Sequence, residues 1–206
     1  KPLFLVETPM LFTDLKTAEL IKYSANAFLA LKISYINQMA DLCEKIGADV
    51  HDVAKGIGLD KRIGNKFLHP GPGYGGSCFP KDTIALVKTA NQNNSDISII
   101  DTVIKYNTNR KSEMANKILK KLGNDLTNKK VSILGLSFKP ETDDMRDSPS
   151  LDIIPILQKN GITISAYDPV AMNEAKKLLK NTEFSNDLDT CLQNSDALVI
   201  LTEWNQ

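Results

Sequence analysis

The sequence predicts an α/β chain in two parts: an all-helical segment built on one long helix, then an open parallel α/β segment of the Rossmann-like kind, truncated at its end. Two observations predict it. From Thr13 to Gly47 apolar residues recur at helical spacing with no intervening Gly or Pro. After Lys130, short apolar runs alternate with brief helical stretches, the pattern of parallel βαβ units.

Taken in order, Thr13-Asp14 supplies an N-cap, followed by Leu20, Ile21, Phe28, Leu29, Ile33, Ile36, Met39, Ala40 and Cys43 at helical spacing. A helix from about Leu15 to Ile46 would be ~45–50 Å long at ~1.5 Å per residue. That exceeds what a small core needs and predicts a spine whose apolar flank meets a second copy of the chain. Two helices kinked near Lys32 are the alternative. A short helix (Val50 to Gly56), a glycine-rich loop (Gly71 to Gly76), a helix starting near Pro80 to Asp82 and a turn at Asn91 to Asn94 follow. A helix from Ser98 to about Leu122 ends in Gly123, with Lys120 and Lys121 in its last turn, where cations suit the helix dipole.

Beyond it, Val131 to Leu134 reads as a buried strand and Leu151 to Lys159 as a helix closed by Asn160-Gly161. Ile162 to Tyr167 reads as a strand ended by Asp168-Pro169, Ala171 to Leu179 as a helix and Ala197 to Thr202 as a strand. The division predicted is 1–109 helical and 110–206 α/β. The chain opens at Lys1 without an initiator Met and stops just past a strand with no helix to cover it, so both ends read as cuts.

Hydrophobic residues make up 42% of the 206 and charged residues 24%, which excludes disorder. Twenty-five basic residues balance twenty-five acidic ones, so no global field draws nucleic acid or acidic lipid, and any anion site must be local. Cys43, Cys78 and Cys191 are too few and too scattered for a disulfide framework and fit the reducing cytoplasm. No apolar run approaches the ~20 residues of a membrane span, and no signal peptide opens the chain. Two histidines, His51 and His69, with scattered cysteines cannot close a metal site.

Chemistry concentrates in three places. Cys78 sits between Gly75-Gly76-Ser77 and Phe79-Pro80-Lys81-Asp82, near a helix N-terminus, where backbone N–H groups and Lys81 stabilise a thiolate. It reads equally as a nucleophile or as a small buried hydrophobe. Asp82, one turn on, either holds a water or base, or complements the helix dipole. Lys22 and Asn26, at i and i+4, either stabilise an oxyanion or form a solvated stripe. In the α/β part, the loop from Gly135 to Pro149 follows a strand, where such sheets bind ligands, and carries Lys139 and Arg146 to meet phosphates. It lacks the second and third glycines of a dinucleotide fingerprint. Asp168 either meets a ribose or simply ends its strand.

Five stretches carry a resemblance: Ala18 to Ala30, Arg62 to Phe67, Gly73 to Asp82, Gly135 to Lys139 with Asp144 to Arg146, and Thr202 to Trp204. In this order, over nearly the whole chain, they resemble the UDP-glucose/GDP-mannose dehydrogenase family. The form Tyr-Gly-Gly-Ser-Cys-Phe-Pro-Lys-Asp is most similar to members acting on UDP-glucose. The resemblance implies a central helical domain with a dimer-forming helix and a UDP-binding domain, together with a missing N-terminal NAD-binding domain without which the fragment is inactive.

By the same resemblance, Cys78 captures the aldehyde formed from UDP-glucose as a thiohemiacetal. Its oxidation to a thioester and hydrolysis give UDP-glucuronate, with two NAD reduced. Lys22 and Asn26 stabilise the oxyanion, and Asp82 positions or activates the water. His69, Pro70, Gly71, Pro72, Gly73, Tyr74 and Gly75 wrap the sugar nucleotide, and Phe138 and Lys139 hold the UDP side. Arg62 reaches across a homodimer into the partner's site, and Arg146, with Cys78, meets the cofactor. A binding and dimerisation module without activity, a dehydrogenase of UDP-N-acetylmannosamine or GDP-mannose, and a thiol redox protein are the alternatives.

Overall fold

The computed structural model describes residues 10–204. The readings made at Lys1 and at the chain's last two positions lie outside the described residues. In chain order the elements are α1 (Leu15–Ile46), α2 (Val50–Gly58), α3 (Phe79–Gln92), α4 (Ser98–Leu122), β1 (Lys130–Leu134), α5 (Ser150–Lys159), β2 (Thr163–Tyr167), α6 (Met172–Leu178), β3 (Thr182–Phe184), α7 (Leu188–Leu192) and β4 (Ala197–Ile200).

α1 is one unbroken helix of 32 residues, so the kinked alternative does not hold. Asp14 caps it by accepting the Thr17 N–H at 3.1 Å, and Gly47, at φ 76°, closes it by donating to the Cys43 carbonyl. Lys32, the residue suspected of a break, instead donates from Nζ to the carbonyls of Ile63 (3.0 Å) and Gly64 (3.4 Å). It ties the middle of α1 to the turn after α2. The inner face of α1 buries Ala27, Ala30, Ile36 and Cys43. Its outer face leaves Ile21, Phe28, Tyr35 and Leu42 exposed at successive intervals of seven, a straight apolar stripe.

α4 serves both halves of the molecule. Its first turns bury Ile100 and Val103 against α1 and α3, whereas Ala115, with Met114, Ile118 and Leu119, packs into the α/β core. That core holds Val131 and Ile133 of β1, Ile164 and Ala166 of β2, and Ile153, Ile154 and Leu157 of α5, all fully buried.

The four strands are parallel, in the order β3-β2-β1-β4, with Val131 paired to both Ile164 and Ala197. β3 is absent from the sequence reading because three residues are too short to show an alternation. The sequence reading has no element at α7 either. This helix is five residues long and exists because Asp187 caps it, accepting the Thr190 N–H at 2.7 Å. All carboxyl ends of the strands lie at one end of the sheet, and the loop from Gly135 to Pro149 leaves from there. Among the described residues no helix is long and apolar enough to cross a membrane.

Candidate active site

The loop joining α2 to α3 faces the carboxyl ends of β1 and β4 across a cleft of about 1050 Å3. Its wall contains Ile33, Lys66, Phe67 and the whole stretch 69–79 from the helical half. From the α/β half come Phe138, Lys139, Pro140, Pro149 and residues 200–203. Of the residues singled out in the sequence, His69, Pro70, Gly71, Pro72, Gly73, Tyr74, Gly75, Cys78, Phe138 and Lys139 therefore line one cavity.

Two of the loop's glycines have work within the chain itself. A Cβ at Gly75 would stand 2.3 Å from the Asp147 carbonyl oxygen, and one at Gly76, where φ is 81°, would meet the Phe138 ring at 2.6 Å. The Gly76 N–H also donates to the Arg146 carbonyl at 2.7 Å. The close approach these glycines permit is thus between the two loops that form the cleft, and it fixes the separation of its walls.

Cys78 is the N-cap residue of α3, with Pro80 in the first turn, and its carbonyl accepts the Asp82 N–H at 2.9 Å. Its thiol is exposed, in contrast to those of Cys43 and Cys191, so the buried-hydrophobe reading fails here. Asp82, one turn along, is wholly buried. Its Oδ2 accepts from Asn26 Nδ2 at 2.6 Å and from Lys22 Nζ in a short bond, while Lys81 Nζ stands 3.4 Å from Oδ1. The i, i+4 pair on α1 is therefore no solvated stripe, because both polar heads converge on a buried carboxylate.

Burial opposes the charge on Asp82, but the hydrogen bonds from Lys22 and Asn26 and the nearby Lys81 cation outweigh it and hold the carboxyl below its ordinary range. Lys22 is raised in turn, first by its bond to Asp82 and then, among smaller causes, by the charges of Asp82 and Cys78. Both members stay ionised through neutral pH, beside the thiol.

Asp168 is fully buried, with every bond internal: Oδ2 accepts the N–H groups of Leu136 (2.7 Å) and Ser137 (3.2 Å), and Oδ1 those of Val170 (2.9 Å) and Ala171 (2.7 Å). Burial raises its pKa, yet these four N–H bonds win and keep it below the usual carboxylate range. Of its two readings the structural one holds: Asp168 shapes the start of the loop that carries Phe138 and Lys139. Lys139 Nζ lies 5.5 Å from the Phe138 ring centroid, within cation–π reach.

The two arginines singled out in the sequence, Arg62 and Arg146, are built alike and stand outside the cleft wall. Arg146 grips Asp144 through Nε (2.9 Å) and Nη2 (2.7 Å), and Arg62 grips Asp60 through Nε and Nη2 (2.6 Å). Arg146 is raised by its bond to Asp144, by that residue's charge and, among smaller causes, by the charge of Cys78, which puts it within electrostatic reach of the thiol. The Arg62 side chain is 90% exposed and makes no contribution to this copy's cavity.

The sequence matches the UDP-glucose/GDP-mannose dehydrogenase family, central domain, over residues 16–109, and the same family's UDP binding domain over residues 132–206. The chain belongs to this family. It is 52% identical over its whole length to a UDP-glucose 6-dehydrogenase of Rhizobium meliloti (strain 1021), covering 47% of that protein. Over 96% of its length it is 48% identical to UDP-glucose 6-dehydrogenase YwqF of Bacillus subtilis (strain 168), covering 45% of it. Among solved structures, a UDP-glucose dehydrogenase from the hyperthermophilic archaeon Pyrobaculum islandicum superimposes with a TM-score of 0.92 at 35% identity, over 97% of this chain and 46% of that one. The chain spans about half the length of the curated relatives it matches.

Sequence reasoning missed the residues that hold the glycine-rich loop from behind. Asn107, Arg110 and Lys111 of α4 are buried, and Asn37 of α1 joins them. A signal was present. Along α4 the inward positions 100, 103, 114 and 115 are apolar, and at 107, 110 and 111 that same face turns polar, where amphipathic spacing calls for hydrophobes. Phe67, in the cleft wall at φ 62°, was also passed over as a site residue in its own right, since no pattern marks a left-handed phenylalanine.

Proposed function

We propose that the chain is the catalytic and UDP-binding portion of an enzyme that oxidises UDP-glucose to UDP-glucuronate, with residues 1–109 and 110–206 as its two units. One observation carries the reading. An exposed thiol at a helix N-terminus sits one turn from a buried, ion-paired carboxylate, in the wall of a cleft shared by a helical and an α/β half. The names of the relatives support the substrate.

In this reading the cleft holds the nucleotide sugar, with the diphosphate and base on the Phe138 and Lys139 side and the sugar's C6 at Cys78. The C6 alcohol first loses a hydride from carbon and its hydroxyl proton to become an aldehyde; Cys78 Sγ then adds to that carbon, forming a C–S bond while the thiol proton ends on the aldehyde oxygen, which gives a thiohemiacetal. Loss of hydride from that carbon and of the hydroxyl proton gives a thioester, and water then cleaves the C–S bond, releasing the carboxylate and a proton and regenerating the thiol. Lys22 and Asn26 face the developing oxyanion. Asp82, held below its ordinary range, is a weak base. Its part is to keep Lys22 charged and both donors aimed, and to orient the hydrolytic water.

A nicotinamide dinucleotide, when bound, supplies the hydride acceptor for both oxidations. The residues present fit one edge of such a site: Arg146 is a half-free guanidinium within electrostatic reach of the thiol. The remaining contacts fall to a further NAD-binding domain. The exposed stripe Ile21, Phe28, Tyr35 and Leu42 supports a homodimer along α1, in which Arg62, exposed and held by Asp60 in this copy, would serve the partner's cleft.

The test is turnover by the complete protein. UDP-glucose and NAD should yield two NADH per sugar, and Cys78→Ser should abolish turnover while leaving UDP-glucose binding within about twofold. Undiminished turnover in that variant would contradict the thiol mechanism. Calorimetry with UDP-glucose, UDP-N-acetylmannosamine and GDP-mannose should rank UDP-glucose first, and a different ranking would reassign the substrate.

A further inference from the structure

The loop from His69 to Gly76 has an unusual backbone problem. Pro70 and Pro72 have no N–H to bond, and the loop forms no helix or strand. Five of its backbone groups nevertheless have partners, and side chains of the two long helices beneath it supply four of these. Asn107 of α4 accepts the Tyr74 N–H at 2.8 Å and donates from Nδ2 to the Tyr74 carbonyl at 3.0 Å. A single amide thereby completes both polar groups of one residue, as a neighbouring strand would. Asn37 of α1 accepts the Gly71 N–H at 2.8 Å, and Arg110 Nε donates to the Gly71 carbonyl at 2.6 Å.

Arg110 is itself locked. Its Nη1 donates to Asp41 Oδ1 (2.9 Å), to Asp41 Oδ2 (2.8 Å) and to the Tyr106 hydroxyl (3.1 Å), and Tyr106 donates to Asp41 Oδ2 at 3.0 Å. One turn of the same helix, at Lys111, reaches the α/β half through the Asp147 carbonyl (3.1 Å) and Asp152 Oδ2 (2.8 Å). The carbonyl of Asp147 is the atom against which Gly75 is packed.

We infer that Asn107 and Arg110 are positioning residues that set the shape of loop 71–74, and with it the affinity of the cleft for its nucleotide sugar, while standing outside the reacting atoms. The inference rests on the proposed occupancy of the cleft and adds the parts that shape it. Both residues are nearly fully buried, so a lost partner leaves loop groups unsatisfied rather than hydrated. Asparagine is specified at 107 because the site needs one acceptor and one donor together. A carboxylate there keeps the bond from the Tyr74 N–H and sets an unprotonated oxygen against the Tyr74 carbonyl. Glutamine carries the same groups one methylene too far.

The decisive variant is Asn107→Asp in the complete protein, nearly isosteric and so least disturbing to packing, with Arg110→Lys as the second. Two readings are taken. Amide hydrogen exchange should quicken in the stretch 70–76 by about tenfold or more, with the interior of α1 and β1 unchanged. KM for UDP-glucose should rise roughly tenfold with kcat at saturation within about twofold. Exchange confined to the loop with an unchanged KM would overturn the link to affinity, and uniform acceleration with lowered thermal stability would reduce Asn107 to a structural residue. If the parent protein binds no UDP-glucose while the loop's exchange still quickens, the substrate assignment fails and the hold of Asn107 on the loop stands.

Discussion

The α/β half finishes its own core and the helical half does not. Around β1 and β2 one continuous apolar cluster runs from Ala115 to Leu179, much of it with no accessible surface. The helical half has two small clusters, centred on Ala27 with Leu86 and on Ala30 with Val103, and leaves Ile21, Phe28, Tyr35, Leu42 and Ile46 exposed on its longest helix. The difference separates two kinds of stability. The α/β half is held by packing within the chain, whereas the half that carries Cys78 is held largely by polar links to the loops and by whatever covers α1.

The sharpest way to break this comparison is to make equivalent truncations on both sides. Ile133→Ala, at a fully buried position on the central strand, should lower stability by about 3–4 kcal/mol in denaturant unfolding. A loss below about 1 kcal/mol would mean that the α/β core is not the self-sufficient unit described.

Next in size is Asp168→Asn, which replaces a carboxylate serving four backbone donors with an amide whose NH2 must face two of them. A loss of about 2–3 kcal/mol is expected at neutral pH. The sign of its pH dependence follows from the lowered carboxyl. The stabilisation is present above the ordinary aspartate value of about 3.9 and is lost as pH falls through the lower folded-state value. The gap between parent and variant should therefore narrow on acidification, and a gap that widened would refute the assignment.

The smallest expected effect on the single chain is Phe28→Ala, within about 0.5 kcal/mol, because the ring is already exposed. Its consequence should appear in sedimentation instead, as a weakened self-association. A variant that unfolded like Ile133→Ala while remaining as associated as the parent would erase the contrast between the halves.

Much of this was legible in the sequence because the long elements are marked at both ends. Asp14 and Gly47 bracket α1, and apolar runs bounded by Asn160-Gly161 and Asp168-Pro169 fix β2. The thiol region was legible from Cys78 in its glycine-rich setting. The convergence of Lys22, Asn26 and Asp82 was not, since sixty residues separate Lys22 from Asp82 and spacing alone could not choose between a solvated stripe and an ion pair to a buried carboxylate. β3 was too short to carry a period. Asp168 had two readings that only its hydrogen bonds could separate, and the roles of Asn107 and Arg110 lie in backbone groups of a distant loop, which residue types do not reveal.

The central claim, that Cys78 is the reactive thiol of a nucleotide-sugar cleft, is tested most directly by alkylating the complete protein with iodoacetamide and locating the adduct by mass spectrometry, with and without UDP-glucose. Cys78 should be modified first, with buried Cys43 and Cys191 untouched, and UDP-glucose should slow its modification at least tenfold at saturation. Equal rates with and without the nucleotide sugar would contradict the account.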